Sequence, residues 1–149
     1  MERIAVFVND AAHARHLLQP MLGSAGPMHW IVVACPPTLT RHIGRWVSQP
    51  ARRAWRERWA NELFAHLEPE LVAPAGSKVE KQTASRPLVD VSTRLQARWP
   101  GLRLLDARRA AVGRVDEPIT LTQPAERSSG LTSTVVAAGS LAAMLSLAD

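Results

Sequence analysis

The stretch "IAVFVNDAAHARHLL", residues 4–18, decides the fold. Its apolar half runs from Ile4 to Val8 without alternation, the pattern of a strand covered on both faces. It stops at Asn9 and Asp10, and a helical spacing of apolar residues begins at once. A buried strand that feeds straight into a helix is the opening of a βαβ unit. In open sheets of that kind, ligands lie beyond the carboxyl ends of the strands, where strand order reverses. Asn9 and Asp10 occupy such an end. An Asp there can accept hydrogen bonds from a ribose hydroxyl. Asp and Asn also cap helices with no ligand present. Plain capping is the simpler reading, and the ligand reading stays open beside it.

The same alternation continues along the chain. Residues 3–8 read as the first strand and residues 11–22 as the first helix, which Pro20 is expected to kink or end. "GSAG", residues 23–26, marks a turn, and "MHWIVVAC", residues 28–35, is a second buried strand stopped by Pro36 and Pro37. A short helix is expected over residues 39–46. Ser48 can cap a longer helix with Pro50 in its first turn. Trp55, Trp59, Leu63, Leu67 and Leu71 then recur every four residues, which predicts a buried stripe containing both tryptophans. "KVEKQTA", residues 78–84, alternates as a more polar edge strand. A helix follows Ser85 and Pro87, with Leu88, Val91, Leu95 and Trp99 on its apolar face. "LRLLDA", residues 102–107, is a fourth strand, and "PITLT", residues 118–122, is the candidate fifth. These elements predict a single doubly wound α/β domain over residues 1–149: a mostly parallel, three-layer sheet flanked by helices.

Composition narrows the function. The chain has 149 residues, 46% of them hydrophobic, enough for a core without staples. Cys35 is its only cysteine, so an intramolecular disulfide is excluded and a reducing cytoplasm is the natural compartment. The start carries no signal-peptide pattern. Cys35 itself reads as buried and inert. His13 and His16 follow Asp10 at spacings of three, but no second ligand cluster joins them, and a surface pair is expected rather than a metal site. Neither a G-x-S-x-G elbow nor a Walker loop is present, and no catalytic set emerges. A binding protein is therefore expected rather than an enzyme.

The formal charge is +5, and its distribution matters more than its size. Arg41, Arg45, Arg52, Arg53, Arg56 and Arg58, less the one Glu57, bring that whole +5 to residues 41–58. Three tryptophans are interleaved with them. Guanidinium groups and indoles together can bind phosphates and stack on bases. An ordinary amphipathic helix, with Trp55 and Trp59 inside and Arg53 and Arg58 in solvent, produces the same letters and is the expected reading. The partner readings kept beside it are nucleic acid or an acidic protein over residues 41–59. Residues 128–148 carry no charge and hold seven Ser or Thr, too polar for a membrane span. That tail is expected to pack on the sheet or across a homodimer interface, with no membrane partner.

The opening "RIAVFVNDAAHARHLL", residues 3–18, resembles the universal stress protein family, and the order of elements through Leu105 is similar too. The family places an Asp at the strand end, where this chain has Asn9 with Asp10 one later. The resemblance implies a cytoplasmic stress-response protein with that family's fold, binding ATP or another adenine nucleotide. Its ATP-binding members carry G-x2-G-x9-G-[ST] after the fourth strand, a loop that lets backbone N–H groups approach phosphates. Here "ERSSGLTSTVVAAGSLAAML", residues 126–145, matches the end of the motif at Gly139 and Ser140. Ser129 and Glu126 stand where the other two glycines belong, and Gly130 is one residue out of register. The implied nucleotide set is therefore Asn9, Asp10, Ser129, Gly130, Gly139 and Ser140. A carboxylate at Glu126, where triphosphate should lie, leads to the expectation that ordinary ATP binding is lost. The alternative is a nucleotide-binding stress protein that uses those same residues.

Overall fold

The apolar run buries β1 (Glu2–Val8) completely from Ile4 onward. In the computed structural model, which describes residues 1–24, 26–37, 46–73, 75–110, 117–121 and 135–136, β1 is the middle strand of five. β2 (Met28–Ala34) lies on one side of it and β4 (Arg103–Asp106) on the other, both parallel to it. β3 (Lys78–Thr83) pairs in parallel outside β2, and β5 (Val135–Val136) runs antiparallel on β4. The spatial order is β3-β2-β1-β4-β5. The first two crossovers therefore step outward from β1, and the third returns across it to the other side. This is a doubly wound, Rossmann-like sheet, and its direction reverses between β1 and β4.

Period-two alternation sorts the side chains into two cores. Ile4, Val6, Val8, Trp30 and Val32 pack against Leu18 of α1 (Ala11–Ser24) and Leu63, Leu67 and Leu71 of α2 (Gln49–Leu71). Ala5, Phe7, Ile31, Val33 and Leu104 meet Leu88, Val91 and Leu95 of α3 (Leu88–Arg98) on the opposite face. Each large aliphatic side chain buried in this way contributes about 1.5–3 kcal/mol. Three layers result, with α1 and α2 on one face and α3 on the other.

Several sequence expectations are corrected here. Pro20 does not end α1, which runs on to Ser24. Residues 118–121 form no strand, although Ile119 is buried in the core under α3. The fifth strand comes instead from Val135 and Val136, inside the uncharged tail. The expected short helix over residues 39–46 lies outside the described residues except for Trp46, which sits in a turn.

The predicted tryptophan stripe on α2 holds only in part. Ser48 caps the helix as expected, its hydroxyl accepting from the Ala51 N–H at 3.3 Å, and Pro50 sits in the first turn. The buried residues are Ala60, Leu63, Phe64, Leu67 and Leu71; Trp59 is half-buried and packs against this core, whereas Trp55 is half-buried and is not among the hydrophobic residues packed on it. The reason is geometric. Residues four apart advance about 400° around a helix of 3.6 residues per turn, so each step drifts by about 40°. Four such steps from Trp55 to Leu71 drift by about 160°, too far for one buried face.

Candidate functional site at the carboxyl edge of the sheet

Parallel register brings the carboxyl ends of β1, β2 and β4 together, with Val8 opposite Ala34 and Phe7 opposite Asp106. The segments leaving these ends carry Asn9 and Asp10, Cys35, and the run Asp106 to Arg109. Backbone pairing continues just past the strands, where Ala107 N–H donates to the Phe7 carbonyl at 2.9 Å. The Asn9 side chain then extends that ladder by one more rung. Its Oδ1 accepts from the Arg109 N–H at 2.6 Å, and its Nδ2 donates to the Arg109 carbonyl at 2.9 Å. A carboxamide can do this because it carries a donor and an acceptor side by side, as a peptide group does. Asn9 thus staples β1 to β4 across the point where strand order reverses.

Asp10 turns the other way. Its Oδ1 accepts from the His13 N–H at 2.9 Å, the geometry of a cap on α1, and the Asp10 carbonyl receives the Ala14 N–H at 3.0 Å. Its Oδ2 lies 3.6 Å from the Arg109 guanidinium. The His13 backbone bond, assisted by the charge of Arg109, holds the Asp10 carboxyl below its ordinary value against a smaller opposing effect of burial.

A second network occupies the face under α3. Arg108 forms a two-pronged pair with Asp106, Nε to Oδ1 and Nη2 to Oδ2, both 2.9 Å. These two side chains are only 8% and 14% exposed, so the charges depend on each other for solvation. Arg108 also donates to the Glu117 carbonyl, and the Glu117 carboxylate accepts from the Leu88 N–H at 2.9 Å, capping α3 from a distant loop. Cys35 lies beside this cluster. Its N–H donates to the Val8 carbonyl at 2.8 Å, and burial pushes its thiol up to about 12. Such a thiol stays protonated and is a poor nucleophile.

The sequence named Asn9, Asp10 and Cys35 but missed their partners Asp106, Arg108, Arg109 and Glu117. The only signal was the density of charge in "DARR", residues 106–109, directly after an apolar strand. Ser129, Gly130, Gly139 and Ser140 lie outside the described residues, as do Arg41 and Arg45. Arg53, Arg56 and Arg58 are exposed on α2, whereas Arg52 is half-buried. Among the described residues no three His, Cys, Asp or Glu side chains group to hold a metal. No described helix is long and apolar enough to cross a membrane. A shallow, partly open hollow under α2, lined by Val32, Phe64, Leu67 and Val79, has no room for a water. Ligand sites usually measure ~300 Å³ or more, and a hollow that cannot hold a water is a packing gap between helix and sheet.

No family model matches this chain, and no similar characterised protein or solved structure is found.

Proposed function

We propose that this chain is a non-enzymatic binding or regulatory protein, built on a Rossmann-like sheet in the manner of the universal stress proteins, that has given up ordinary ATP binding. The observation that carries the reading is the Asn9 staple. A nucleotide at a doubly wound sheet enters between the two strands where order reverses. There, both hydrogen-bonding groups of Asn9 are engaged by the Arg109 backbone, and Asp10 is engaged by α1 and Arg109. A ribose would have to compete with each of these partners. The misplaced glycines and Glu126 of the tail support the same conclusion from the phosphate side.

One observation favours a second reading, a nucleotide-binding protein using this edge. The Arg109 side chain is 70% exposed, free to swing from Asp10 toward a phosphate. Thermal melts separate the two. A ligand present at a hundredfold excess over its Kd adds about 2.7 kcal/mol of stability. Saturating ATP, ADP, AMP and cyclic AMP are each expected to leave the midpoint unchanged. An upward shift of several degrees with any of them supports the second reading.

A further inference from the structure

α2 is longer than the sheet it covers. Its 23 residues span about 34 Å, whereas the six- and seven-residue strands beneath it span about 20–23 Å. The helix follows β2, so the excess lies at its amino end and overhangs the carboxyl edge of the sheet. Burial agrees: from Gln49 to Arg58 every residue but the half-buried Arg52 and Trp55 is exposed, Trp59 is half-buried against the core, and the fully buried series starts at Ala60.

The letters on the overhang are unusual for their position. Arg53, Arg56, Ala60, Leu63, Leu67 and Leu71 succeed one another at spacings of three and four, which places them on one helical face. From Ala60 onward that face is buried against the sheet, while Arg53 and Arg56 are exposed. The chain therefore presents guanidinium groups on the side of the helix that a longer sheet would require to be apolar. Neither makes an ion pair among the described residues, and the first turn of α2 holds no acidic residue. The arrangement gains nothing inside the fold and suits an anion outside it. Just ahead of the Ser48 cap, Trp46 is 84% exposed, a large indole left in water.

We propose that this overhanging face binds single-stranded nucleic acid, Arg53 and Arg56 taking backbone phosphates and Trp46 stacking on a base. The indole decides between anionic partners. An acidic peptide offers carboxylates but no flat face, whereas a nucleic acid supplies charge and a stacking surface together. The proposal rests on the reading of this chain as a binding protein and names the partner class.

The test uses the full chain and a fluorescently labelled single-stranded oligothymidine, followed by anisotropy, with polyglutamate of equal charge as the comparison anion. Binding is expected at low salt, with log affinity falling against log salt by about 0.7 per phosphate neutralised. Replacing Arg53→Gln and Arg56→Gln together should flatten that slope by about 1.4. Trp46→Ala should weaken oligothymidine binding by about fivefold or more while leaving any polyglutamate binding unchanged. All three positions are exposed, and circular dichroism checks that the variants fold. Absence of binding at low salt overturns the proposal, as does binding that neither variant alters. Polyglutamate bound as tightly as oligothymidine, independently of Trp46, overturns it in favour of an acidic protein partner. None of these results bears on ATP. A chain that ignores both ligands refutes this surface and leaves the closed crevice standing.

Discussion

Replacing Asn9 by alanine removes both bonds that join the side chain to the Arg109 backbone, at 2.6 and 2.9 Å. A typical internal hydrogen bond contributes about 0.5–1.5 kcal/mol net, so the pair sets a range of about 1–3. Both bonds lie at exposed positions, and water can take over the freed Arg109 N–H and carbonyl. The cost should therefore fall in the lower half, about 1–1.5 kcal/mol. For a chain of this length each kcal/mol moves the thermal midpoint by about 2–4 °C, giving a drop of about 2–6 °C. Urea unfolding should show the same loss as a lower midpoint with unchanged slope. Asn9→Asp keeps the acceptor but sets a carboxylate against the Arg109 carbonyl, and it should not restore the native midpoint. An Asn9→Ala chain as stable as the wild type would refute the staple. So would an Asn9→Asp chain that is more stable.

Asp10→Ala should cost about 0.5–2 kcal/mol as the loss of a helix cap. Because the folded carboxyl is held below 3.8, its contribution should be present above that pH and vanish as the pH falls through the lowered value. Acid melts of the two chains should then converge at the bottom of the titration, and a constant gap would contradict the assignment. Native Cys35 should alkylate far more slowly than the urea-unfolded chain at neutral pH. The fold prefers the neutral thiol, so this preference should erode stability as pH rises from 9.0 toward 12, and rapid native labelling would refute the burial. Leu67→Ala should cost about 2–5 kcal/mol as a cavity in the core. Trp55→Ala, off the buried face, should cost only about 1 kcal/mol. Equal costs would mean that both side chains face the sheet after all.

What the sequence revealed followed from local pattern. β1 and β2 were legible because an unbroken apolar run suits only a strand covered twice, and α3 because Leu88, Val91 and Leu95 alternate spacings of three and four. The tryptophan stripe misled because spacings of four alone drift around the helix, a distinction that counting apolar residues does not make. β5 was hidden because two valines in a charge-free tail carry no alternation. At the site, Asn9 and Asp10 were visible as a break in an apolar run, but their meaning depended on Arg109, a hundred residues further along. Glu117 acts as a cap for a helix that begins 29 residues earlier, so no capping box could announce it. Local letters locate a strand end; only the fold shows which other strand end it meets.

The most direct test of the closed crevice is a calorimetric titration of the wild-type chain with ATP and magnesium. No binding heat is expected at micromolar to millimolar nucleotide, because Asn9 and Asp10 are already engaged by Arg109 and α1. Micromolar binding that disappears in the Asp10→Ala chain, with its fold intact, would contradict it.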